Sequence, residues 1–186
     1  MKKTKRNPLG TNLVTVTKKE VLDYLDKKYD ARPDDNGFIV LRNLIASSTI
    51  ETMTIEPTRG DGLNCGCIFE CYVRNAVLGE RNPSYKTNGV DLTYKEAVQA
   101  DRVSQWVSFG LVKGYDYEIK FATSRSSASL GYSRTNHYII GFEKGIAILE
   151  KEALNLFKKG KGALRKTFIR QPKKEDDKDY KKKGKR

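Results

Sequence analysis

A chain of 186 residues that is 38% hydrophobic and 10% aromatic can bury a full core as one domain, and its 32% charged share is high for a globular protein. No apolar run reaches the length of a membrane span, the N-terminus lacks the apolar core of a signal peptide, and Cys65, Cys67 and Cys71 are too few and too close for a disulfide framework. A soluble protein of a reducing cytoplasm is expected.

The net charge of +13 belongs to the ends of the chain. Residues 158–186 carry 14 Lys and Arg against 4 Asp and Glu, and Lys2, Lys3, Lys5 and Arg6 add four more cations. Residues 7–157 keep 18 basic and 19 acidic groups, close to neutrality. Basic arms on a neutral body favour a polyanion, nucleic acid first, through counterion release. A solubilising tail is the other reading.

Residues 1–10 read as a basic arm. Thr17-Lys18-Lys19-Glu20 is a capping box, and Val21, Leu22, Leu25 and Tyr29 continue it as an amphipathic helix that stops in residues 31–37. Phe38 to Ile45 is a short apolar run, strand or buried helix, and Met53-Thr54-Ile55 reads as a strand stopped by Pro57. Residues 11–60 form an N-terminal extension, either a recognition or dimerisation element or a cover for the core.

Arg59-Gly60-Asp61-Gly62 is a loop, and Asn64 to Leu78 is a helix that is apolar on nearly every side and therefore buried. Glu70 lies in its middle. A carboxylate there needs a partner or a cation, and Arg74 at i+4 is the nearest partner. The three thiols of this helix read as buried structural groups, because His137 is the only histidine and the Cys-x2-Cys spacing of zinc sites is missing. Asn88-Gly89 is a turn that leaves Asp91 at or near a strand; an Asp after a turn is usually a cap. Thr93-Tyr94-Lys95-Glu96 is a second capping box, opening a helix to Ser108 with Val98, Val103, Trp106 and Val107 inward.

From Gly114 to Ala122 the residues alternate: Tyr115, Tyr117, Ile119 and Phe121 on one side, Asp116, Glu118 and Lys120 on the other. This is a strand whose polar side is either a solvated charge ladder or a Glu-x-Lys beside a metal ion. The next loop, Thr123 to Gly131, offers Ser124, Arg125, Ser126 and Ser127, donors suited to phosphate oxygens as well as to any polar loop. Tyr138–Phe142 and Ile146–Leu149 read as buried strands, and Lys151–Phe157 as a closing helix. Lys158, Lys159 and Lys161 begin the basic flexible tail and are assigned to nucleic-acid binding with it.

A buried helix with Glu70, a turn with Gly89-Val90-Asp91, and a strand with Glu118-Ile119-Lys120 follow one another in an order that resembles the PD-(D/E)XK nuclease superfamily. The resemblance covers roughly half the chain, residues 64–157, with Val90 where the motif has Pro. It implies a restriction-endonuclease-like α/β fold: a central mixed sheet flanked by helices in an αβββαβ core over residues 61–157, the extension 11–60 before it, and the tail 158–186 after it.

It also implies a Mg²⁺-dependent DNA endonuclease that leaves a 5′-phosphate. Phosphodiester hydrolysis needs a hard cation, and carboxylates are its ligands, so Asp91 and Glu118 are assigned to Mg²⁺ with the Ile119 carbonyl as third donor. Lys120 is assigned to the attacking water and Glu70 to a metal-bound water or second ion. The 26 residues between Asp91 and Glu118 imply a helical insertion; if that insertion is misread, Asp116 competes for the metal. A homodimer on DNA is expected, with no membrane and no small-molecule cofactor. A junction or repair nuclease of the same fold and a non-catalytic nucleic-acid-binding module remain as alternatives. No Ser–His triad, Walker loop or dinucleotide fingerprint is present.

Overall fold

The computed structural model describes residues 14–55, 63–79, 90–130, 135–160 and 166–168. The basic arm 1–10, the turn at Asn88-Gly89, Lys161 and most of the tail lie outside the described residues. The architecture is mixed α/β, with six helices among the described residues and two small sheets.

The chain enters as β1 (Val14–Thr17) and turns into α1 (Lys18–Ala31) through the Thr17–Glu20 capping box. The apolar run resolves into a helix, α2 (Gly37–Ala46), and β2 (Thr52–Ile55) pairs antiparallel with β1. The first strand of this pair was within reach of the sequence, since Val14-Thr15-Val16-Thr17 is a run of alternating β-branched residues, short and placed between the N-terminal arm and a helix cap. Val21, Leu25, Leu41, Ile45, Met53 and Ile55 are buried in the same core as the helix and sheet that follow. The N-terminal elements thus close the core. They are not a separate appendage.

At Gly37 the chain can carry no side chain. Its N–H donates to the Thr123 carbonyl at 3.0 Å, and a Cβ there would lie 2.3 Å from that oxygen. Backbone cannot yield as a side-chain tip can, so Gly37→Ala is expected to cost about 2–3 kcal/mol, or roughly 5–10 °C in Tm. A thermal melt within about one degree of the parent would refute the close approach.

Helix α3 (Cys65–Leu78) is capped by Asn64, whose Oδ1 accepts from the Cys67 N–H at 2.8 Å, and it ends at Gly79 in the left-handed conformation. The insertion is helical as expected, but it is two helices, α4 (Tyr94–Gln99) and α5 (Val103–Phe109). The break lies at Asp101, which has φ of +54°. That break resets the helical phase: Trp106 and Ala97 are buried, whereas Val98 and Val107, expected inward, are 54% and 45% exposed.

The second sheet has the order β3 (Glu118–Phe121), β4 (His137–Phe142), β5 (Gly145–Glu150), β6 (Lys166–Phe168). β3 and β4 are parallel, and the remaining pairs are antiparallel. β6 lies where the sequence suggests only tail. The closing helix, α6 (Leu154–Lys158), follows a 3-10 turn over Lys151–Ala153.

Cross-strand partners share a face of the sheet. Ile119, Ile139, Ile146 and Ile148 face the large core with α2 and α3; Tyr138, Ile140, Phe142, Ala147 and Leu149 face a second core with Phe157 of α6. The pairing of Glu118 with Tyr138 and of Lys120 with Ile140 puts both charged residues on this second face. Among the described residues no helix is long and apolar enough to cross a membrane.

Candidate active site

β3 hydrogen-bonds to β4 along one edge only. The Ala122 N–H donates to the Gly141 carbonyl at 2.9 Å, so the even residues of the strand face β4. The odd residues face the other edge, where Tyr117 and Leu92 exchange two hydrogen bonds of 2.8 and 3.0 Å as an antiparallel bridge. One residue before Leu92, Asp91 accepts the Ile119 N–H on Oδ2 at 2.9 Å. N–H and C=O of one strand residue project to the same side, so the Ile119 carbonyl points to the edge that Asp91 occupies. Glu118 and Lys120 flank that position along the strand. Glu118 is buried, and its Oε2 lies 3.6 Å from Lys120 Nζ, which is one-third exposed.

Glu70 approaches from α3. Burial first, and then the Asp91 carboxylate, push its carboxyl up to about 8; Glu118 adds to the effect, while Arg74 and Lys120 oppose it. Of the four residues assigned from the sequence, Asp91, Glu118 and Lys120 are thus placed along β3 by hydrogen bond and ion pair, and Glu70, 50 positions before Lys120, feels them from α3.

Asp116 is directed elsewhere. Its Oδ1 accepts the Tyr94 N–H at 2.9 Å at the start of α4, and its carbonyl accepts the Thr135 hydroxyl at 2.8 Å. The position facing Ile119 belongs to Asp91.

The local pairing of Glu70 with Arg74 is replaced by a tertiary one. Arg74 is 2% exposed; its Nη2 lies 3.1 Å from Glu96 Oε1, and its Nη1 donates to the Asp91 carbonyl. Burial works against the Glu96 charge, but the Arg74 and Thr93 hydrogen bonds hold its carboxyl down at about 2. In the sequence the two residues read only as a helix partner of Glu70 and as part of a cap. The available signal was an arginine one turn after Glu70 on a helix with almost no polar surface.

The loop expected to meet phosphate is turned inward in part. The Arg125 guanidinium lies 5.2 Å from the ring centres of both Phe142 and Phe157, and the Ser124 and Ser127 hydroxyls bond each other at 3.1 Å. Ser126 is exposed, as are Lys158 and Lys159 at the end of α6. His137 opens β4 and stacks on Tyr115 at 4.1 Å. Burial pushes the Cys65 thiol up to about 11 and the Cys71 thiol up to about 12, so both are held protonated and unreactive.

Among the described residues no three His, Cys, Asp or Glu side chains form a group able to hold a metal ion. The donor set at the β3 edge is smaller: two carboxylates, Asp91 and Glu118, with the Ile119 carbonyl. That set suits Mg²⁺, which keeps several waters and takes one or two protein carboxylates, and does not suit a cation that needs a complete protein cage. No family model, curated protein or solved structure matches this chain.

Proposed function

We propose that this protein is a Mg²⁺-dependent DNA endonuclease of the PD-(D/E)XK type. The observation that supports it most is the seat of Asp91 on the Ile119 N–H, between Glu118 and Lys120 of the same strand, in the chain order of that superfamily's motif. The near-neutral body agrees with the reading, since a pure binding module would spread its positive charge over the fold, whereas here it is gathered at the two ends.

Asp91, Glu118 and the Ile119 carbonyl would hold the cation. When bound, Mg²⁺ neutralises charge on the phosphate and lowers the pKa of a coordinated water. Lys120 Nζ, on the same strand as Glu118, orients the attacking water and offsets the negative charge that builds on the phosphate oxygens. Water oxygen bonds to phosphorus as its proton passes to solvent, the bond to the 3′ oxygen breaks, and that oxygen takes up a proton from solvent, so the 5′ side keeps the phosphate. Glu70 holds a second water by hydrogen bond. Cutting both strands of a duplex requires two such sites, hence a pair of chains.

The test is direct. Purified protein incubated with supercoiled plasmid and with branched DNA is expected to nick one of them with Mg²⁺ and neither with Ca²⁺, and end-labelling is expected to find 5′-phosphates. Absence of metal-dependent nicking on both substrates would overturn the proposal and leave nucleic-acid binding by the arms.

A further inference from the structure

We infer that Arg74 is the positioning residue for Asp91, and that α4 exists in this fold to brace it. The inference goes beyond the nuclease reading but rests on it for the purpose of the brace.

Asp91 belongs to no regular strand, so beyond the bridge of its neighbour Leu92 to Tyr117 its backbone is set by what grips it. Two grips are present. From one side, the buried Arg74 guanidinium donates to the Asp91 main-chain carbonyl. From the other, the Ile119 N–H donates to the Asp91 carboxylate at 2.9 Å. Arg74 is itself aimed by Glu96, 3.1 Å away, and Glu96 is aimed by α4, where its Oε2 accepts the Thr93 N–H and hydroxyl, each at 3.0 Å.

The start of α4 is pinned in turn by Asp116, through the Tyr94 N–H. A closed circuit results: α3, the Asp91 backbone, β3, and the first turn of α4. The 26-residue insertion that a tight hairpin would have made unnecessary supplies Thr93, Glu96 and the clamp on Arg74.

The planar fork of arginine is what the position demands. One arm serves a carbonyl and the other a carboxylate, in fixed mutual geometry. A lysine there keeps the charge and loses the fork. With the fork gone, the Asp91 main chain loses its hold from α3, and the carboxylate on Ile119 hangs from a backbone free to shift relative to Glu118. Residues that orient a metal ligand without touching the metal typically change affinity about 10–100-fold when altered.

The experiment compares the parent with Arg74→Lys and Glu96→Gln, using Arg42→Lys as a control. Arg42 makes a 3.1 Å ion pair with Asp26 between α1 and α2 and takes no part in the Arg74–Glu96–Asp91 contacts, so its loss tests stability separately from Asp91. The first readout needs no metal: amide hydrogen exchange of Ile119 and of Ala122. The Ile119 amide is held by Asp91 and the Ala122 amide by β4. In Arg74→Lys the Ile119 amide is expected to exchange at least about 10-fold faster relative to Ala122 than in the parent, with Arg42→Lys leaving that ratio unchanged.

The second readout is Mn²⁺ titration by calorimetry, where Arg74→Lys is expected to weaken binding by about 10–100-fold and Arg42→Lys not at all. Glu96→Gln keeps the cap but weakens the aim of Arg74, so it falls between them. An unchanged Ile119-to-Ala122 ratio in Arg74→Lys would overturn the inference whatever the metal does. A changed ratio in a parent that binds no Mn²⁺ would uphold the brace and refute the metal site.

Discussion

Lys120→Ala is expected to lower Mg²⁺-dependent DNA cleavage by about 10²–10⁴-fold, and Glu118→Gln to lower it by at least as much, with little change in fold. The two effects differ in kind. Lys120 acts on the water and on the developing charge, so its loss reduces kcat while metal and DNA affinity hold. Glu118 is a ligand, so its loss also weakens Mn²⁺ binding.

The competing reading makes the 3.6 Å contact of Glu118 with Lys120 an ordinary strand ion pair. That reading forecasts a different result. With Lys120 one-third exposed, removing the pair would cost about 0–1 kcal/mol of stability and leave any nucleic-acid binding intact. Single-turnover kinetics, Mn²⁺ calorimetry and thermal melts on both variants separate the two. If both variants cleave at the parental rate, Glu118 and Lys120 are not catalytic. A loss of cleavage matched by a collapse of the melt would equally deny them a catalytic role, and Glu118→Gln is chosen to keep shape and make that outcome interpretable.

The parts of this site that were legible in the sequence are those governed by local rules. Both capping boxes form, at Thr17–Glu20 and Thr93–Glu96, because the pattern names the atoms that bond. Helix α3 is buried because its apolar residues leave it no polar face. The alternation around Glu118 is realised, with Ile119 and Phe121 toward α3 and Glu118 and Lys120 toward the opposite face.

What failed to show was tertiary. Spacing of i and i+4 proposes Glu70 for Arg74, but the guanidinium bonds Glu96, 22 positions on, which only the fold brings within reach. The single helix read through Ser108 divides at Asp101, since a left-handed residue has no marker in an apolar periodicity. Strand β6 was hidden by its shortness, since only Lys166, Thr167 and Phe168 pair and they stand between Arg165 and Arg170 in a basic segment.

Glu70→Gln is expected to stabilise the metal-free protein at alkaline pH while damaging its activity. The Glu70 carboxyl is raised from an ordinary 4.5 to about 8, first by burial and then by the Asp91 carboxylate. A folded-state pKa above the unfolded one means that the native protein keeps a proton the unfolded chain gives up. The associated stability is whole below pH 4.5 and drains away as pH climbs to about 8.

At pH 8 the loss is on the order of a few kcal/mol, and Gln, which has no proton to lose, avoids it. Glu96 does not obscure this window. Its depressed carboxyl contributes stability that is lost only in acid, as pH falls below its unfolded range toward about 2. Between pH 5.5 and 8 the parent's Tm should therefore fall by roughly 5 °C or more relative to the variant's, at about 2–4 °C per kcal/mol for a chain of this size. Mg²⁺ should restore the parent at pH 8 more than at pH 5.5, because a cation offsets the crowding of carboxylates that the proton otherwise relieves. If melts of Glu70→Gln slope with pH as steeply as those of the parent, Glu70 is not the strained group. If the variant also cleaves DNA at the full rate, the buried acid of α3 is no part of the catalytic site.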